Sequence, residues 1–115
     1  MTETKFPQVD ETALESKAAE AATFLRSLAS KHRLMVLCAL VPGERSVGEL
    51  NDRLGLTPSN LSRHLAMLRK EGLVATRRDG TTIFYRIGSD RVQPLLIALY
   101  DLFCAETDSF QREHA

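Results

Sequence analysis

Between Ser46 and Gly72 the chain carries start and stop signals for two short helices with only a tight turn between them. Ser46 and Glu49 form the S-x-x-E pattern, in which two side chains satisfy free backbone N–H groups reciprocally, and this opens a helix over VGELNDRL that Gly55 closes. Thr57 then suits an N-cap, Pro58 the first helical position, and Gly72 the left-handed conformation that ends a helix. Two short helices joined by a Gly-containing turn make the helix-turn-helix pattern, whose second helix enters a DNA major groove.

The second helix has the surface such a role requires. At about 100° per residue, Leu61, Leu65 and Leu68 point together, while Ser59, Arg63, Ala66 and Lys70 point the opposite way, flanked by Asn60, Ser62 and Met67. A merely solvated face usually carries Glu and Lys. Small donors, an Arg and almost no acid describe a face that approaches something anionic closely.

At 115 residues the chain is expected to form one domain, with 43% hydrophobic and 26% charged residues as in ordinary soluble proteins. The longest apolar run, LMVLCALV at 34–41, is far short of a membrane span, and MTETKFPQVDE lacks the apolar region of a signal peptide, so the expected compartment is the cytoplasm. The formal net charge is zero, which alone argues against a nucleic-acid partner. Its distribution argues otherwise. Residues 57–88 set Arg63, Arg69, Lys70, Arg77, Arg78 and Arg86 against Glu71 and Asp79, a net +4, whereas residues 1–22 and 89–115 each carry −3. A local basic patch is what attracts phosphate.

Residues 1–9 read as a loose tail, 10–109 as the domain and 110–115 as a second tail. Leu14, Ala18, Ala21, Leu25 and Leu28 recur at helical spacing from Asp10 to Ala29, and Ser30 caps a second helix to about Leu40, ended by Pro42 and Gly43. After Gly72, LVATRRDGTTIFYRI changes period, with Asp79-Gly80 as a hairpin turn signal and β-branched and aromatic residues following. A hairpin carrying Arg77, Arg78 and Arg86 directly after a helix-turn-helix is expected to be a wing, contacting phosphate or the minor groove. The last helix is expected from Ser89 or Asp90 past Cys104, with Pro94 near its first turn. Its middle, VQPLLIALYDLFCA, is apolar almost all round, and the surplus beyond one stripe needs a second partner. A matching helix in another copy is the simplest, since helix-turn-helix proteins commonly read palindromic sites as symmetric dimers.

The predicted fold is mainly α with a β-hairpin wing: a winged helix-turn-helix of five helices, the hairpin lying between the fourth and fifth. With these pieces in order, the chain resembles the ArsR/SmtB family of small winged-helix bacterial repressors over about residues 20–104. The resemblance is carried by FLRSLASKHRLMVLCAL, SVGELNDRLGLTPSNLSRHLAMLRKEGLV and RRDGTTIFYRI. It implies a homodimer paired through the first and last helices that binds operator double-stranded DNA and releases it when an inducer is sensed. It also implies that Ser59, Asn60, Ser62, Arg63 and His64 are the DNA-contacting positions of the recognition helix, beside Arg77 and Arg78 of the wing. Arg63 would bond bidentately to guanine, Asn60 would pair with adenine, and the serines would bind phosphate. His64 lies nearer the apolar edge, and a structural hydrogen bond inside the domain weighs equally with a DNA contact.

Metal is the commonest signal in that family, yet VGELNDRL has no cysteine and the last helix offers Asp101, Glu106, Asp108, Glu113 and His114 without paired histidines. No metal or other cofactor is expected. The only cysteines are Cys38 and Cys104. Buried free Cys is a common small hydrophobe, and two in such a chain are no disulfide framework. The pair is, however, similar to that of the persulfide-sensing branch of the family, which implies that a small reactive sulfur species or an oxidant is the inducer. A metal-responsive repressor, and an anti-repressor whose cysteines are core residues, are the alternatives. A thiol oxidoreductase would want C-x-x-C or a Cys supported by His in a cleft, and neither is visible, so no enzyme is expected.

Overall fold

The structure, a computed structural model, describes residues 10–104. In order these form α1 (Glu11–Leu28), α2 (Lys31–Leu40), β1 (Arg45–Ser46), α3 (Val47–Leu54), α4 (Pro58–Lys70), β2 (Val74–Asp79), β3 (Thr82–Ile87) and α5 (Val92–Phe103). The cap residues do what their chemistry predicts. Ser30 Oγ accepts from the Arg33 N–H at 3.4 Å and Thr57 Oγ1 from the Asn60 N–H at 3.2 Å. The box around α3 closes both ways, the Ser46 N–H donating to Glu49 Oε1 at 2.9 Å and the Glu49 N–H to Ser46 Oγ at 3.1 Å. At the end of α4, Gly72 takes φ 77°, so that the Leu73 N–H reaches the Leu68 carbonyl at 2.9 Å.

The sheet holds one strand more than the expected hairpin. β1 pairs antiparallel with β3, Arg45 opposite Tyr85 and Ser46 opposite Phe84, giving the order β1-β3-β2. Two residues are too few to show a period of two, so this strand exists only through its partner. In the hairpin Asp79 pairs with Thr82, which leaves Gly80-Thr81 as the loop; Gly80 alone of the two has positive φ, as in a primed turn with Gly first. At the hairpin's other end, a Cβ on Gly88 would lie 2.9 Å from the Val74 carbonyl carbon, and the absence of one lets the Gly88 N–H donate to the Leu73 carbonyl at 2.9 Å.

α5 starts at Val92, later than the expected Ser89 or Asp90, and without a side-chain cap. The Ser89 hydroxyl accepts instead from the Arg91 N–H at 3.3 Å, so residues 89–91 turn on themselves before the helix begins. The expected continuation past Cys104, the tails 1–9 and 110–115 and the domain end at 109 lie outside the described residues.

One core sits beneath the helix-turn-helix. It joins Val36, Leu37 and Leu40 of α2, Leu50 of α3, Leu61, Leu65 and Leu68 of α4, Val74 of β2, and Val92 and Leu96 of α5, all buried. The outer helices contribute little to it. α1 buries only Ser27 and Leu28, leaving Leu14 and Leu25 54% and 53% exposed, and α5 leaves Ile97, Tyr100, Leu102 and Phe103 exposed. Arg91 Nη1 donates to Glu20 Oε2 at 2.9 Å, tying α1 to the start of α5.

Candidate nucleic-acid interface and thiol pair

α4 separates its faces as the leucine spacing predicts. Leu61, Leu65 and Leu68 are buried, while Ser59, Ser62, Arg63, Ala66, Arg69 and Lys70 are exposed. Arg63 Nη2 donates to Asn60 Oδ1 at 2.9 Å, so the two side chains proposed to read bases are already bonded to each other. Asn60 cannot hold that bond through Oδ1 and also use the same lone pair for adenine. His64 is half-buried and turned toward α2, its ring centroid 5.6 Å from that of His32. Burial, and then the charges of His32, Arg33 and Arg63, hold its pKa below the ordinary histidine value, which keeps the ring neutral at pH 7.

The register of the hairpin separates Arg77 from Arg78. Residues directly opposite in an antiparallel pair share a face; Arg78 lies opposite Ile83 and Arg77 opposite Phe84. Ile83 and Tyr85 join Ser62, Ala66, Arg69 and Lys70 in lining a groove of about 660 Å³ between the hairpin and α4. Arg78 therefore stands on the side of the recognition helix, and Arg77 on the other. Arg77 is also engaged: Nη2 and Nε meet Glu44 Oε1 and Oε2 at 2.7 and 2.8 Å, and its guanidinium lies 4.4 Å from the centre of the Phe84 ring. The hydrogen bond from Arg77 holds the Glu44 carboxyl below its usual range. Arg63, Arg69, Lys70 and Arg78 make no ion pair with a carboxylate among the described residues. Arg69 and Lys70 were not among the expected contact residues, although the charge excess of residues 57–88 pointed to them.

The two cysteines come together. Cys38 in α2 and Cys104 at the C-cap of α5 line one cavity of about 220 Å³ with Leu34, Leu96, Leu99, Tyr100 and Phe103, and both keep solvent exposure. Apolar surroundings push the Cys38 thiol up, and the charge of nearby Cys104 adds to this. The thiolate fraction of Cys38 at pH 7 is thus below that of a free cysteine. In a Cys104→Ser variant, the pH–rate profile for alkylation of Cys38 is expected to have its midpoint above that of free cysteine, about 8.5. A stopped-flow pH profile with a midpoint at or below that of free cysteine contradicts this.

Among the described residues no group of three or more His, Cys, Asp and Glu is placed to hold a metal ion. Asp101 is exposed on α5, while Glu106, Asp108, Glu113 and His114 lie outside the described residues. Among the described residues, too, no helix is long and apolar enough to cross a membrane.

A helix-turn-helix presenting a basic, acid-poor recognition helix beside a hairpin wing defines a DNA-binding transcriptional regulator. Known proteins agree. Residues 30–76 match the bacterial regulatory proteins of the arsR family. The chain is 44% identical over 97 residues to the biofilm growth-associated repressor of Agrobacterium fabrum, covering 84% of this chain and 83% of that protein. It is 44% identical over 91 residues to the transcriptional activator HlyU of Vibrio cholerae, covering 79% and 84%. The structure of reduced HlyU superposes with a TM-score of 0.76 at 43% identity, over 80% of this chain and 97% of that one. A homodimeric winged helix-turn-helix DNA-binding domain from Mycobacterium bovis superposes with a TM-score of 0.67 at 31% identity, over 85% and 89%. This chain belongs to the arsR family of bacterial regulatory proteins.

Proposed function

We propose that the chain is a cytoplasmic homodimeric repressor that holds operator DNA while Cys38 and Cys104 are thiols and releases it when they are linked. The observation that supports the sensing half is the shared cavity, whose lining includes both of the sole cysteines of the sequence, 66 positions apart. The dimer reading rests on the uncovered apolar faces of α1 and α5 and on the homodimeric relative from Mycobacterium bovis. The relative HlyU has been solved in a reduced form, which supports the reading of these thiols as redox-active.

With a persulfide, each thiolate takes the outer sulfur of R–S–SH and expels RS⁻, leaving Cys–S–SH. One of these, deprotonated, attacks the inner sulfur of the other and expels HS⁻, and three sulfurs then bridge Cys38 and Cys104. With peroxide the thiolate is oxidised to Cys–SOH, and the second thiol displaces water to form a disulfide. Either bridge joins α2, which abuts the recognition helix, to the end of α5, where the apolar dimer face lies. DNA is released because the bridged and free forms differ in how well the two reading heads match an operator.

The test is the intact mass of reduced protein after a persulfide donor or peroxide, followed by alkylation. Linkage predicts mass gained as sulfur, or two hydrogen atoms lost, with neither thiol alkylated, and no link in Cys38→Ser or Cys104→Ser. Two free thiols after treatment overturn the sensing role of both cysteines. The name of HlyU as an activator favours a second reading, in which the chain displaces another repressor from shared DNA. In vitro transcription without any competing repressor separates the two, because only a direct repressor lowers transcript there.

A further inference from the structure

We propose that Arg77 is a positioning residue, which with Glu44 forms a strap across the sheet that sets the wing's angle to the recognition helix. The proposal rests on the DNA-binding reading above. Arg77 stands on edge strand β2, Phe84 opposite it on central β3, and Ser46 opposite Phe84 on the other edge, β1. Glu44 immediately precedes β1. The guanidinium thus reaches over Phe84 to a carboxylate at the head of the far edge strand, so one ion pair links the two edges of the sheet.

Its grip resists DNA in three ways. Two parallel N–H···O bonds fix the plane of the guanidinium, and the Phe84 ring supports it from below. Arg77 also lies on the sheet face turned away from the groove that α4 and Arg78 share. Finally, a phosphate placed at Arg77 would sit beside the Glu44 charge and be repelled by it. What the strap does govern is tilt. β1 holds the hairpin only at Phe84 and Tyr85 of β3 and leaves β2 as a free edge, and Glu44 belongs to the connection between α2 and the helix-turn-helix. Fastening Arg77 to Glu44 therefore couples the wing directly to the segment that leads into the reading helices.

The experiment uses the full chain and a duplex it selects from a randomised pool, titrated across a potassium chloride series. The strap predicts that Glu44→Gln and Arg77→Gln each weaken binding roughly two- to fivefold, the scale of one well-made surface pair. The double variant is no weaker than either single one, because both remove the same link. The slope of log K against log salt stays at the parent value, and exchanging the charges, Glu44→Arg with Arg77→Glu, restores binding toward the parent. If Arg77→Gln lowers that slope by about 1 while Glu44→Gln leaves binding unchanged or strengthens it, Arg77 is a phosphate contact and the strap is overturned. Parent-like binding by both single variants overturns it as well. A parent chain that selects no duplex overturns the DNA reading, and the strap with it.

Discussion

Arg63→Ala is expected to cost about 1–3 kcal/mol, roughly ten- to a hundredfold, on the preferred duplex and far less on a mixed-sequence one. Arg63 is exposed at the middle of the outward face of α4, with no carboxylate partner among the described residues and Asn60 steadying one arm of its fork. A guanidinium so placed offers two parallel donors, which match the two acceptors of guanine in the major groove. Arg78→Ala should behave differently. Its charge lies on the wing beside the groove lined by Arg69 and Lys70, and a phosphate there would be met whatever the base sequence. Binding should weaken on both duplexes alike, with the salt slope reduced by about 1. Anisotropy titrations of the two variants on the two duplexes read this out. Equal losses by Arg63→Ala on both would show that Arg63 holds phosphate rather than a base.

The largest stability effect is expected at Leu65. This side chain is 1% exposed, lies between Leu61 and Leu68 on the inner face of α4, and belongs to the single core under the helix-turn-helix. Truncation to Ala removes its burial and leaves a cavity that helices capped at both ends cannot easily close, a loss of about 2–5 kcal/mol. Lys70→Ala on the opposite face should stay within about 0.5 kcal/mol while still weakening DNA binding. Urea unfolding at one fixed protein concentration compares them, since a dimer's midpoint depends on concentration. If Leu65→Ala unfolds with the parent's midpoint, the inner face of α4 is not the core side.

The local signals were fully readable. Ser46 with Glu49, Thr57 with Pro58, and Gly72 act within four or five residues of themselves, so their hydrogen bonds depend on little beyond neighbouring sequence. The leucines of α4 are similar, because helical geometry alone places Leu61, Leu65 and Leu68 on one side. Strand β1 was not readable, since two residues acquire strand geometry only from the pairing with Phe84 and Tyr85. Nor was the start of α5, where Ser89 spends its hydroxyl on the Arg91 N–H instead of capping a helix.

By itself, then, the sequence determined a helix-turn-helix with a basic face, a hairpin after it and two lone cysteines, all of which follow from periodicity, caps and composition. Tertiary structure decided what those side chains do to one another. Arg77 and Arg78 are adjacent and chemically alike in sequence, yet the register against β3 sends one to Glu44 and Phe84 and the other toward the recognition helix. Cys38 and Cys104 share a cavity only because α5 packs Leu96 into the same core that holds α2. His64 turns to His32 for a similar reason, the close approach of α2 and α4. Glu44 and Arg77 are 33 positions apart, His32 and His64 are 32, and Cys38 and Cys104 are 66, and such approaches form only once burial of the common leucine core has fixed how the elements sit together.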